Sequence, residues 1–337
     1  MTHCDKCFAE EETVEATSHC PTCNSNFCEQ HIALHNSSNK TKSHAPLVES
    51  LKGKSAIPFS GEFKLVEKLG DHEDFQLDFN APSHVVVCEK NKLIFVADGE
   101  NFVYAFDSIT RDYKYRFTYT GGDMRSMAID PNDDSLVIAM YHYGCDRLTK
   151  ISMDGKITRW TVVTQDKAHN IIVDPSDSKI YFLKDCYTNP VVHIFNGNDG
   201  SIAGKTAVNL DGEGLVERAS CIAFDLEGNL VVANNYRREL TTMTKKGKIL
   251  STKRYEGESI SYITSICFEK TGKMYVGTTH PDYSEVETWS SEGNSRFTGQ
   301  DLPEKKIQSS HIHVALNSLV GELLVCSKWN KAVYVFK

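Results

Sequence analysis

Eight cysteines and histidines near the start of the sequence have the spacing of metal ligands: Cys4-x2-Cys7, Cys20-x2-Cys23, then Cys28, His31, His35 and His44. Zn2+ takes four thiolate or imidazole ligands in a tetrahedron, so eight suit two closed structural sites. A Cys-x2-Cys knuckle lets both thiolates reach one ion while backbone amides bond to the sulfurs. The connecting stretch FAEEETVEATSH is too polar to build a hydrophobic core. A segment of about 50 residues needs metal or disulfide support to fold, and a bound structural zinc contributes about 10–16 kcal/mol. Two Zn2+ per chain are therefore expected.

Two other readings of these residues fit less well. Redox-active Cys-x2-Cys pairs sit at the helix start of a βαβ unit, and no such unit is visible here. A two-Cys, two-His finger built on Cys20, Cys23, His31 and His35 would need about 12 residues in its central gap. Only seven separate Cys23 from His31, and Cys4, Cys7 and Cys28 would be left without a role. His3 and His19 lie off the pattern and read as solvated neighbours. A closed site has no open position for water, so neither zinc should be catalytic.

Composition limits what the rest can be. The 337 residues are 40% hydrophobic and 24% charged, which is globular usage, and the length suggests roughly two domains. No run of 18 apolar residues occurs, which argues against a helical membrane span. The start, MTHCDKCFAEEET, has neither the basic nor the apolar region of a secretory signal. With 37 basic and 45 acidic residues the net charge is −8, a poor match to unfocused binding of nucleic acid or anionic membrane. Five of the eleven cysteines fall in the first 28 residues. An odd total without a signal points to reduced thiols and a cytoplasmic location. The other six, Cys88, Cys145, Cys186, Cys221, Cys267 and Cys326, lie mostly in or beside apolar runs and are expected to be buried structural thiols.

The elements that follow repeat. From about residue 60 a block recurs: an apolar run, an acid or amide, a turn, a second apolar run and a third. The first runs are HVVVCE, SMAID, NIIVD, CIAFD, SICFE and HVALN, closing at Glu89, Asp130, Asp174, Asp225, Glu269 and Asn317. The closing residues are 41 to 51 positions apart, and no segment between them offers a helix of βαβ length. Six units of about four strands each describe a six-bladed β-propeller. The sixth unit stops after its third strand, and one orphan strand, FKLVEKLG at 63–70, precedes the first. That strand would complete the last blade and close the ring, removing open sheet edges.

The N-terminal array resembles the B-box zinc finger of tripartite-motif proteins, nearer the first B-box type because its second ligand is Cys7. In that family two sites interleave. The resemblance implies that Cys4, Cys7, Cys28 and His31 hold one ion, and Cys20, Cys23, His35 and His44 the other. The blades resemble NHL repeats, most clearly in HVVVCE followed by KLIFVADGENFVYAFD, and again in LLVCSKWNKAVYVFK. B-box plus NHL propeller is the layout of the tripartite-motif NHL branch, some of whose propellers bind RNA. No RING cysteine array precedes Cys4, and ESLKGKSAIPFSG is too short for the family's coiled coil. Ubiquitin-ligase activity and antiparallel dimerisation are therefore not carried over.

In a propeller, the loops leading into the innermost strands share one face with those joining second and third strands. Counting back five from each closing residue gives His84, Arg125, His169, Ser220, Thr264 and Ile312; counting back four adds Ser126, Asn170, Cys221, Ser265 and His313. The outer loops add Tyr141, His142, Tyr143, Tyr187, Tyr236, Arg237, Arg238, His280, Tyr283 and Trp329. Because Tyr, Trp and Arg are enriched at binding hot spots, the candidate partner-binding set is His84, Arg125, His169, Asn170, His313, Tyr141, Tyr236, Arg237, Arg238 and Trp329. In the same loops Asp98, Glu100, Asp123, Asp146, Asp185, Glu217, Glu239 and Asp282 offset Arg125, Arg147, Lys184, Arg218, Arg237, Arg238, Lys328 and Lys331. A balanced face suits a protein better than phosphate. The inner mouth positions contain no Asp or Glu to hold a hydrolytic metal, although His84, His169 and His313 offer imidazoles.

The sequence thus predicts a mainly β chain: a B-box-type zinc finger over 1–48, a linker over 49–60, and a six-bladed NHL-like propeller over 61–337 closed by strand 63–70. The expected function is a non-enzymatic cytoplasmic adaptor. Its propeller face would take a protein partner, and its B-box would contact a protein or self-associate. RNA binding through the propeller is the alternative, a propeller hydrolase the third reading, and no membrane partner is expected.

Overall fold

In the first part of the chain, the computed structural model describes residue 57 and the backbone of Ser18–Cys20, Ser25–Phe27 and Glu49–Ser50. Beyond these it describes residues 59, 63–72, 75–99, 101–119, 122–142, 145–164, 168–184, 191–207, 219–235, 239–254, 262–280, 283–290, 293–297 and 311–337. The chain divides into two compact units, Met1–Ile57 and Pro58–Lys337.

In the first unit Ser18–Cys20 is the central strand of an antiparallel sheet, flanked by Ser25–Phe27 and Glu49–Ser50. Cys20 pairs with Ser25, so Cys23 falls in the connection between these two strands. Cys4, Cys7, Cys23, Cys28, His31, His35 and His44 lie outside the described residues, and Cys20 is described through its backbone alone.

The second unit contains six four-stranded antiparallel sheets. Their inner strands are Pro82–Cys88, Asp123–Asp130, Ala168–Val173, Ala219–Phe224, Tyr262–Phe268 and Ile312–Asn317. Each inner strand packs against that of the next blade, and the sixth packs against the first, which makes a closed six-bladed β-propeller. Second strands such as Leu230–Asn234 and Met274–Thr279 are buried on both faces and accordingly open with consecutive apolar residues, LVVA and MYV. Outer strands such as Tyr113–Thr118 alternate exposed and half-buried residues. The described residues are mainly β, and no helix among them is long and apolar enough to cross a membrane.

The last blade takes its outer strand from Leu65–Lys68, which pairs antiparallel with Ala332–Phe336. Arg111, from the first blade, secures this junction with ion pairs to Glu67 at 2.5 Å and Glu322 at 2.6 Å. Phe59, which the sequence reading placed in the linker, belongs instead to the core between the last two blades. Its ring meets Phe63 at 5.0 Å and Tyr275 at 5.5 Å, both edge-on, and its amide donates to Glu269 at 2.6 Å. A single buried aromatic in a polar stretch gives no periodic signal, so the sequence pattern could not mark it.

The recurring acid or amide that ends the inner strands joins blades. Asp130 accepts from Ser178 of the next blade at 2.9 Å and pairs with the buried Lys150 at 2.6 Å. Asp174 pairs with Lys245 of blade four. Asn317 donates to the Ser108 carbonyl of blade one at 2.6 Å.

Candidate functional site

The pairing registers set which residues ring the channel mouth. A β-bulge recurs at the start of five inner strands, where the register shifts between Pro82/His84, Met124/Ser126, Ala168/Asn170, Ala219/Ile222 and Ile263/Ser265. A bulge twists the strand and re-aims one side chain. Two of the bulged residues, Arg125 and His169, are exposed. The sixth inner strand shows no shift, and its Ile312 is buried.

The register also corrects the counting in the first blade. Cys88 pairs with Leu93 just as Asp130 pairs with Ser135 and Asn317 with Glu322. Cys88, not Glu89, is therefore the equivalent of the closing acid. An apolar residue at that place shifted the sequence alignment by one. His84 consequently matches Ser126, Asn170, Cys221, Ser265 and His313.

This ring holds the blades together beneath the mouth. The Ile171 amide donates to Ser126 Oγ at 3.1 Å, and the Ile222 amide to Asn170 Oδ1 at 3.1 Å. The Val314 amide donates to Ser265 Oγ at 3.1 Å, and the Val85 amide to His313 Nδ1 at 3.4 Å. Each bond crosses from one blade to the next at the same register position, and each contributes about 0.5–1.5 kcal/mol. Asn170 and His313 from the candidate set thus have structural duties. His313 and His84 lie ring to ring, with centroids 4.8 Å apart. Burial lowers the His313 pKa from its ordinary 6.5 to about 4. Burial, and then the neighbouring His313, also hold His84 well below its ordinary value.

Above the ring, the Arg125 guanidinium sits 5.0 Å from the centroid of the half-buried Tyr141 ring. Trp329 is 71% exposed. Tyr236, Arg237 and Arg238 lie outside the described residues, as do Tyr143, Tyr187 and Cys186. His280 and Tyr283 pack on each other, with stacked rings at 4.3 Å, and His280 Nε2 is 2.8 Å from the buried Glu285 carboxylate. Among the described residues no three His, Cys, Asp or Glu converge as a metal-binding group.

The charge balance inferred from sequence changes once burial is known. Asp98 accepts from the amides of Asn80 at 3.0 Å and Ala81 at 2.6 Å, and Asp146 accepts from the Ala168 amide; both carboxylates are buried. Among the described members of the sixteen charges, Asp123 and Glu239 then face Arg125, Arg147, Lys184, Lys328 and Lys331. Removing the buried Asp98 and Asp146 from the sixteen leaves six acidic against eight basic residues, a small shift toward positive charge. Sequence reasoning counted Asp98 and Asp146 as surface charges because loop position alone does not reveal backbone amides aimed at a carboxylate.

The described later thiols are wholly or partly buried. Cys88, Cys221 and Cys326 are buried, and Cys145 and Cys267 are half-buried. Desolvation pushes the Cys221 and Cys267 thiols up to about 12.

No family model matches the chain, and no curated protein matches it. Its likeness is to solved propellers. Hydrazine synthase from Kuenenia stuttgartiensis superposes with a TM-score of 0.57 at 11% identity, over 77% of each chain. The Cps50 (Swd1) β-propeller domain of Myceliophteria thermophila gives 0.57 at 8% identity, over 81% of this chain and 99% of that one. Identities this low establish the fold and leave function to the site.

Proposed function

We propose that this chain is a non-enzymatic cytoplasmic adaptor whose propeller mouth grips a protein partner and whose N-terminal unit is a B-box-type module holding two Zn2+. The observation that carries the reading is the rim: bulges present Arg125 and His169 outward from a ring already fixed by inter-blade hydrogen bonds. Side chains ordered before binding lose little entropy on association, and β-propellers commonly serve as such platforms.

The N-terminal assignment rests on the donor set and on one backbone feature. Cys20 ends a strand that pairs antiparallel with Ser25–Phe27, and Cys23 lies between these two strands in the sequence. One Zn2+ would be held by Cys4, Cys7, Cys28 and His31, the other by Cys20, Cys23, His35 and His44. Bound there, zinc supplies folding energy and no reaction chemistry.

The test is affinity capture with the full chain, comparing wild type with Arg125→Glu, His169→Glu and with a control substitution at exposed Ile157 on the opposite face. Loss of the captured protein at the mouth variant and its retention at the control is the expected result; equal capture by both removes the reading. RNA is the second reading, favoured by the small cationic excess and the exposed Trp329. It predicts capture that ribonuclease abolishes and affinity that falls steeply with salt.

A further inference from the structure

The seam between the last and first blades carries a cationic, aromatic-edged site that the rim formed by Arg125 and His169 does not include. Four observations define it. The turn Lys328–Lys331 joins the second and third strands of the last blade and holds Trp329 out at 71% exposure. That turn is built from within: the Ser327 hydroxyl donates to Asn330 Oδ1 at 2.8 Å, and the Lys331 amide donates to the Lys328 carbonyl at 3.3 Å. An indole held in water by an internally bonded turn contributes nothing to the core and is already placed for contact. Beside it lies a cavity of about 470 Å³, lined by Lys68, Asp78, Asn80, Asn330 and Lys331 together with the half-buried Leu77. Lys328 stands close enough to His84 to lower its pKa, after burial and the two nearby histidines, His313 and His311.

We propose that this seam docks an acidic linear peptide, with an apolar side chain seated on Leu77 against Trp329 and its carboxylates reaching Lys328 and Lys331. The exposed Lys328 and Lys331 outweigh Asp78, the one carboxylate among the described lining residues. The apolar floor and single indole fit one side chain flanked by charge. A nucleic-acid strand would instead call for successive aromatic platforms, and the chain's net charge of −8 opposes a polyphosphate at long range. The proposal rests on the reading of the propeller as a protein-binding module, and it moves the partner's contact to a place that reading does not require.

The test is selection from a random dodecapeptide phage library on the full-length protein, with Trp329→Ala, Lys328→Glu, Lys331→Glu as the counter-target. All three side chains are exposed, and an unchanged circular-dichroism melt checks the fold. The expected outcome is enrichment of peptides rich in Asp and Glu with an apolar residue, binding at least tenfold more weakly to the triple variant and to Trp329→Ala alone. The binding should also quench or shift the fluorescence of Trp329. Absence of enrichment, enrichment without acidic bias, or equal retention by the variant overturns the proposal. Trp329-dependent capture of a random RNA pool overturns it in favour of RNA. Partner loss at Arg125→Glu, His169→Glu with full retention at the seam variant refutes the seam while leaving the adaptor reading intact.

Discussion

His313 gives the inter-blade ring a titration that serine and asparagine cannot. Its Nδ1 accepts the Val85 amide at 3.4 Å, which requires the neutral ring with its proton on Nε2. A histidine pKa lowered from 6.5 to about 4 means the unfolded chain binds more protons than the folded one between those values. Stability therefore rises with pH across that window and is lost as the pH falls through it, by about 1–3 kcal/mol for this residue. His313→Asn should keep the bond, since Asn170 makes the equivalent one three junctions earlier in the ring, and should flatten that part of the Tm-against-pH curve. A slope unchanged in the variant would mean that His84 or another group carries it. At this scale the sequence was legible in residue type more than in role. Asn170 and His313 stood out as polar residues in apolar runs, but their partners lie in other blades, some 45 or more positions away. Spacing alone could not tell a surface ligand from an internal bond.

Strands and blades were far more legible, because a sheet buried on one or both faces imposes its period on the chain. What escaped were features set by a single residue, such as Cys88 in place of a closing acid, or Phe59 filling the core from a polar segment. The third-to-fourth strand turns add another. Gly155, at φ +71°, places its Cα so that a Cβ would fall 2.3 Å from the Phe117 ring of the preceding blade. Gly155→Ala must both strain the backbone and displace that ring, at a combined cost of about 2–4 kcal/mol. Urea unfolding should show the drop, with the Phe117→Ala, Gly155→Ala double variant losing less than the two single changes added together. Strict additivity would show that the two residues do not meet.

At the scale of the molecule, the proposed function rests the two units on different physics, metal ligation in one and buried apolar surface in the other. Elemental analysis should find two zinc per chain. Chelation should abolish the calorimetric transition of residues 1–57 and leave that of residues 58–337 within about 2 °C, since a loss of 1 kcal/mol in a domain this large shifts Tm by about 2–4 °C. One merged transition that chelation moves as a whole would contradict that division. The cationic seam was legible only in part: Trp329, Lys328 and Lys331 stood out in the sequence, but Leu77 and Lys68 come beside Lys331 only through ring closure. The same closure sets a clock. Leu65 pairs with Phe336, so the strand made first must wait for the one made last, about 15–50 s at ordinary rates of synthesis. Through that interval the propeller is an open arc with a bare sheet edge at each end, which makes the nascent chain a client for chaperones and the clasp of the last blade the step that ends its exposure.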